Sequence, residues 1–537
     1  MRREDQDRIQ IEVASRVVEE ATRASGGDEG ALQVLINDTL FCEGLRLEHA
    51  SDPAGKRERA FYERINRRMQ RASASELKRL VDKLARHFVA EVVGNFDPRV
   101  YKVATRALPH GLGLLLSAMS PKRLLHEGRD HHGLAERLSI GGAVEHARKL
   151  LERGTLIVVP THSSNLDSLV MGYCAFLMGF PPFTYGAGLN LFSNPIISFF
   201  MRNLGAYRVD RRKNSLLYKQ VLKEYAACSI EMGYNNLFFP GGTRSRSGAI
   251  ERKLKLGLLG TGLQAYIANL KSGKDKPNVY VVPFTISYKL VLEAETLIDD
   301  HLKETGKSRY IIEDDEFSRP RRLLKFFSDI WSLDSRIVIN VSTPLDVFGN
   351  RVDEQGESFD ARGRPVDPRR YVMRDGAAVA DVQRDAEYTR ELGDEVRAAF
   401  LRDTVLMSTN VVAHAVFALL ERNNPSLDLY RLLHTGGVER SFRMDEVHAE
   451  VGATLAALAA RREPPRLEAV LERGDAQDIV ADALKHFATY HTQAAARRRG
   501  DRVFPEDLNL LLYYANRVRS YAPLVPATAA PSAEVRS

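Results

Sequence analysis

The chain has 537 residues, 44% apolar and 27% charged, with a formal net charge of +7. That length allows more than one domain, and the balance excludes both a disordered chain and a highly charged tail protein. Its modest basic excess suits anionic lipid head groups, phosphate esters or nucleic acid. Cys42, Cys174 and Cys228 lie far apart, without metal-ligand spacing or a disulfide framework, so a reducing cytoplasm is expected. The polar start MRREDQDRIQ is not a signal peptide, and no stretch offers the ~20 apolar residues of a membrane span.

In chain order, residues 1–125 read as a helical N-terminal domain. Leu77, Leu80, Val81, Leu84 and Val89 recur at helical spacing with charges on the other faces. The apolar run HGLGLLLSAMS within 100–125 is too short to span a membrane and fits either core, the favoured reading, or a contact with a membrane surface. Residues 126–345 alternate strand and helix patterns, with strands expected at 155–159, 183–185, 206–209, 236–239, 279–283, 284–288 and 336–341. The fold class is therefore α/β: a helix-covered mixed sheet with helical N-terminal and C-terminal regions. Residues 346–378, rich in Gly, Pro and charge, read as a loop or hairpin insertion. Residues 379–521 return to helical periodicity, and the Pro/Ala/Ser-rich 522–537 reads as a disordered tail. His414, His434, His448, His486 and His491 do not cluster as metal ligands, and no metal is expected.

Chemistry concentrates where strand 155–159 gives way to a helix. There His162 and Asp167 are separated by Ser163, Ser164, Asn165 and Leu166, with Ser163, Ser164 or Asn165 as expected helix N-cap. A neutral imidazole takes a proton from a hydroxyl near pH 7, and a carboxylate on its other nitrogen fixes the tautomer. On one continuous helix the two side chains would diverge by about 140°, so the chain must turn between them. Backbone N–H groups at the start of that helix are the expected oxyanion donors. A covalent intermediate is disfavoured, since no cysteine adjoins His162 and Ser163 and Ser164 lack a nucleophile-elbow context.

Downstream come GAYRVDRR with Arg211, FFPGGTRSRSG with Gly241, Gly242, Arg244 and Arg246, KLKLG with Lys255, and VYVVPFTISY. Glycines admit an anion to backbone N–H groups, and arginine grips phosphate with paired hydrogen bonds. In order and spacing, from about residue 150 to 300, these motifs and the His162–Asp167 pair resemble the glycerol-3-phosphate acyltransferase family. The helical stretches YTRELGDEVRAAFLRDTVLMSTNVVAHAVFALL and LLYYANRV resemble the tail of its long bacterial members. The resemblance implies acyl transfer from acyl-CoA or acyl carrier protein, as co-substrate, to the hydroxyl of glycerol 3-phosphate. It implies no cofactor. It assigns His162 as base, Asp167 as its orienting partner, and Arg211 and Arg244 as holders of the acceptor phosphate, with Arg246 and Lys255 as weaker candidates. Arg208, Arg212 and Lys213 match no motif and read as surface or head-group contacts. The family's third motif usually carries a glutamate before its glycine; here Gly241 stands in that place. That departure keeps dihydroxyacetone phosphate or a lysophospholipid open as acceptor, and also a catalytically degenerate membrane scaffold.

The segment 319–332, RPRRLLKFFSDIWS, sets Leu323, Phe327 and Ile330 on one helical face, with Leu324 and Trp331 beside them, among Arg319, Arg321, Arg322 and Lys325. It fits either a helix lying in an anionic membrane interface or one docked on the core. The expected location is the cytoplasmic face of a membrane, peripherally bound. Nucleic acid is not an expected partner, because aromatic residues do not interleave with the basic motifs.

Overall fold

A computed structural model describes residues 3–24, 26, 28–103, 138–189, 195–305, 337–438 and 440–524. The HGLGLLLSAMS run, the basic segment 319–332 and residues 525–537 lie outside the described residues.

Four helices come first: α1 (Arg3–Ala24), α2 (Glu29–Leu47), α3 (Pro53–Met69) and α4 (Ala74–Val92). In α4 the apolar residues at helical spacing, from Leu77 to Val92, are all buried. The helix starts where Glu76 accepts the Ser73 N–H at 2.9 Å, a capping contact that satisfies a free helix-end donor. The bundle does not close on itself. Its buried cluster continues into Leu217, Val221 and Tyr225 on a helix of the α/β region.

Lys213 fastens that junction, and it corrects the reading of this residue as a surface charge. Its ammonium is 2.6 Å from Glu91, 3.2 Å from Glu58 and 3.5 Å from Glu43, and lies 4.9 Å from the Phe88 ring centroid. Arg212 does stay on the surface, as expected, where it pairs with Asp210 at 3.0 Å.

The α/β region contributes most of an eleven-stranded mixed sheet, as the alternating pattern predicted. Its strands are β1 (Leu138–Gly142), β2 (Thr155–Pro160), β3 (Thr184–Gly188), β4 (Ala206–Val209), β5 (Asn236–Leu237), β6 (Val279–Tyr288) and β7 (Ile337–Val341). The helices between them are α5 (Val144–Leu151), α6 (Asp167–Leu177), α7 (Pro195–Asn203), α8 (Leu216–Glu231), α9 (Leu256–Lys271) and α10 (Ala294–Thr305). Neighbouring strands run β6, β2, β5, β3, β4, all parallel, while β7 lies antiparallel to β6. β2 and β6 are buried along their whole length, as continuous apolar runs in a two-sided sheet should be.

Two strands were expected over 279–288, split at the proline, but the structure has one. Pro283 lacks only an N–H, and its carbonyl still accepts the Ser342 N–H at 2.9 Å. Residues 345–366 add β8 (Leu345–Asp346), β9 (Arg351–Val352), β10 (Ser358–Phe359) and β11 (Pro365–Val366), short antiparallel pieces that extend the sheet beside β6.

The C-terminal region is helical: α11 (Val382–Asp403), α12 (Ser408–Asn423), α13 (Met444–Ala459), α14 (Ala476–Phe487) and α15 (Leu508–Arg519), with two shorter helices between. Its buried residues belong to the same apolar cluster as β2 and β6. Among the described residues no helix is long and apolar enough to cross a membrane.

Removing Lys213 would leave three carboxylates facing one another at a buried junction. Lys213→Ala should destabilise the protein by about 3–5 kcal/mol, read as a lower midpoint in equilibrium urea denaturation.

Candidate active site

The parallel strands end on one edge, and the motifs gather there, where sheets of this kind carry their sites. His162 follows β2, Arg211 follows β4 and the 239–246 segment follows β5. Thr161 ties the first of these loops to β6: its N–H donates to Phe284 O at 3.0 Å and its Oγ accepts the Ile286 N–H at 3.0 Å.

The chain then turns sharply, and Asp167 is the reason. The expectation that Ser163, Ser164 or Asn165 caps the helix fails, because α6 begins at Asp167 itself. The carboxylate instead reaches backward. Its Oδ2 accepts the N–H of Ser163 at 2.7 Å, that of Ser164 at 2.9 Å, and His162 Nδ1 at 2.8 Å. Its Oδ1 accepts the Tyr288 hydroxyl at 2.6 Å. An ionised carboxylate only accepts, so Nδ1 carries the hydrogen and Nε2 the lone pair. Phe239 stacks on the imidazole at 4.1 Å between centroids.

The same bonds correct the oxyanion expectation. The Ser163 and Ser164 N–H groups are committed to Asp167, that of Asn165 to Glu293 at 3.0 Å, and that of Leu166 to Ser164 Oγ.

Burial lowers the pKa of His162; Asp167 opposes this, and the positive charges of Arg244 and Arg211 lower it again. The ring is therefore neutral at pH 7, as a proton acceptor must be.

The cations flank this pair. Arg211 is partly desolvated and feels the like charges of Arg244 and Arg246, and both effects lower its pKa. Such crowding is unfavourable by itself and is relieved by an anionic group. Arg244 pairs with Glu293 at 3.3 Å, while Arg246 pairs with Glu304 on α10. Arg244 and Arg246 line a cleft of about 500 Å3, with Glu251, His301 and Glu304 among the other walls. Gly242 has φ +74°, and a Cβ there would stand 2.6 Å from Lys255 Cδ, so the Lys255 stem lies across the glycine. Lys255 is thus held against the glycine-rich turn.

Three site residues carry no motif. Glu293, fully buried, accepts Ser164 Oγ at 2.8 Å as well as the Asn165 N–H, and so joins the histidine loop to Arg244. Glu251 Oε1 accepts the His162 backbone N–H at 2.7 Å. Arg517, on α15, donates to Ser163 Oγ at 3.0 Å across 354 positions of sequence. Neighbouring contacts fasten the same helix to the cleft loop, since Asn516 donates to Ser247 O and the Ile250 N–H to Ser520 Oγ. In the sequence Glu251 is only an acid downstream of the glycine-rich motif, and Arg517 sits in an ordinary amphipathic pattern.

A carboxylate-oriented imidazole thus stands beside clustered guanidinium groups on the carboxyl edge of a parallel sheet. Residues 143–287 match the family model described as Acyltransferase, and the chain carries an acyltransferase domain of that family. The resemblance read from the ordered motifs is borne out. Proteins named glycerol-3-phosphate acyltransferase are similar to it in Pseudomonas paraeruginosa (29% identity, over 41% of this chain and 25% of the relative) and in Haemophilus ducreyi (37%, over 28% and 18%). The one in Aeromonas hydrophila is 36% identical, over 32% of this chain and 20% of the relative. The chain thus matches a quarter or less of the length of these relatives.

The imidazole of His162 should titrate below the ordinary value of about 6.5. Removing a nearby cation stabilises the imidazolium, so Arg244→Gln should move its titration upward. Asp167→Asn removes the anion and should move it downward. NMR titration of the ring signals reads both shifts without any turnover assay.

Proposed function

We propose that this protein transfers a fatty acyl group from the thioester of acyl-CoA or acyl carrier protein to the hydroxyl of glycerol 3-phosphate, giving lysophosphatidic acid. The observation that carries this reading is the His162–Asp167 pair, held in one tautomer next to Arg211 and Arg244. The acceptor's phosphate binds the two guanidinium groups, which places its hydroxyl toward the imidazole. His162 Nε2 takes the hydroxyl proton as the oxygen attacks the thioester carbonyl. Asp167 stabilises the imidazolium that forms. The tetrahedral intermediate then collapses, the thiolate leaves, and the imidazolium returns the proton to the sulfur. No further cofactor is part of this scheme.

Binding to the cytoplasmic face of an anionic membrane belongs to the same proposal. It is supported by the basic and apolar composition of 319–332 and by the lipid product. Neutralising Arg319, Arg321, Arg322 and Lys325 together should weaken sedimentation with phosphatidylglycerol vesicles, and added salt should weaken the wild type in the same way. Binding indifferent to both would place the contact elsewhere.

The catalytic assignment is tested by thiol release. His162→Ala should lower kcat by about 10²–10⁴-fold in a protein that still folds. Arg211→Ala and Arg244→Ala should each raise the acceptor KM by about ten- to a hundredfold, from the loss of charge-assisted bonds worth roughly 1.5–3 kcal/mol, and leave the donor KM unchanged. A shift in the donor KM alone would move the arginines to the coenzyme or carrier phosphate.

A further inference from the structure

Gly241 and Glu251 are in close contact. A Cβ built on Gly241 would lie 3.2 Å from Glu251 Cγ and 3.6 Å from its Oε1. Gly241 is not among the residues with positive φ, so its backbone does not demand glycine. What a side chain at 241 would disturb is the carboxylate already there.

That carboxylate is half used. Oε1 is held by the His162 N–H, whereas Oε2 is buried and has no hydrogen-bond partner among the described residues. A buried acceptor left unmatched is costly unless a donor arrives. Burial raises the pKa of Glu251, with the His162 N–H and Arg517 opposing the rise. The loop that bears it is fixed on both sides: the Ile250 N–H donates to Ser520 Oγ at 3.0 Å and Arg252 to Ser520 O at 3.1 Å. Glu251 also lines the cleft that contains Arg244 and Arg246. A ligand that suits this wall carries an anionic group for the arginines and a hydroxyl donor for the carboxylate.

We infer that Glu251 binds the hydroxyl of the acceptor that does not react, supplying from the 249–252 loop the carboxylate that position 241 lacks. The inference rests on the acyl-transfer reading above and assigns the acceptor to the polyol phosphates, with a second hydroxyl beside the one that is acylated. Glu251 is then a specificity residue, and Gly241 is the room it needs.

Two acceptors separate this role from a structural one: glycerol 3-phosphate and 3-hydroxypropyl phosphate, which lacks only the middle hydroxyl. Wild type should favour glycerol 3-phosphate in KM by about ten- to a hundredfold, the scale of a hydrogen bond to a charged group. Glu251→Gln keeps an oxygen for the His162 N–H but can offer an amide in place of the second acceptor. It should raise the KM for glycerol 3-phosphate by about that factor and leave the KM for 3-hydroxypropyl phosphate and for the donor unchanged. The paired change Gly241→Glu with Glu251→Gly returns a carboxylate to the same space and should recover most of the lost affinity.

An equal penalty on both acceptors, no discrimination by wild type, or a folded paired variant no better than Glu251→Gln would each overturn the assignment. Failure of the underlying reading looks different: wild type would then release no thiol with any phosphate-bearing acceptor.

Discussion

One buried carboxylate organises the site. Asp167 has lost all contact with water and is stabilised by donors from two backbone N–H groups, an imidazole and a phenol. Burying such a charge is tolerable only when its lone pairs are met. Those bonds force the 162–167 segment into a tight loop, and the loop in turn presents His162 at the sheet edge in one tautomer. The orientation of the imidazole and the local folding of the loop are here a single requirement.

Around that loop the electrostatics are balanced in layers. Glu293 lies between the histidine loop and Arg244, so its negative charge offsets the guanidinium while its other contacts hold Ser164 and Asn165. Burial keeps the imidazole neutral against the pull of Asp167, and Arg244 and Arg211 disfavour its charged form further.

The C-terminal helices are part of the active-site architecture. Arg517 holds Ser163, and the residues around it hold the loop carrying Glu251. The N-terminal bundle acts at the opposite side of the sequence, through Lys213 and α8. The acyltransferase domain is therefore flanked by helices that fix its loops, and its apolar core runs without a break into the C-terminal region.

Much of this was legible from the residues alone, wherever the signal was local. Continuous apolar runs announced β2 and, as two pieces, the span of β6; helical periodicity announced α4 and the C-terminal helices; and the ordered motifs singled out His162, Asp167 and the arginines. β1 escaped notice because LSIGG shows neither a sustained apolar run nor alternation; it is a strand because β7 pairs with it. The helix cap was misread because Ser and Asn ordinarily cap, whereas here Asp167, three and four residues ahead, captures the N–H groups of Ser164 and Ser163 and Glu293 captures that of Asn165. Lys213 looked like surface charge because the acids that surround it lie more than a hundred positions earlier. Sequence by itself determined the α/β class, the acyltransferase motifs and the His162–Asp167 pairing, since each depends on neighbours along the chain. Only the tertiary structure decided that Glu251 fills the space beside Gly241 and that Arg517 reaches Ser163, because a hydrogen bond depends on distance in space and leaves no periodicity behind.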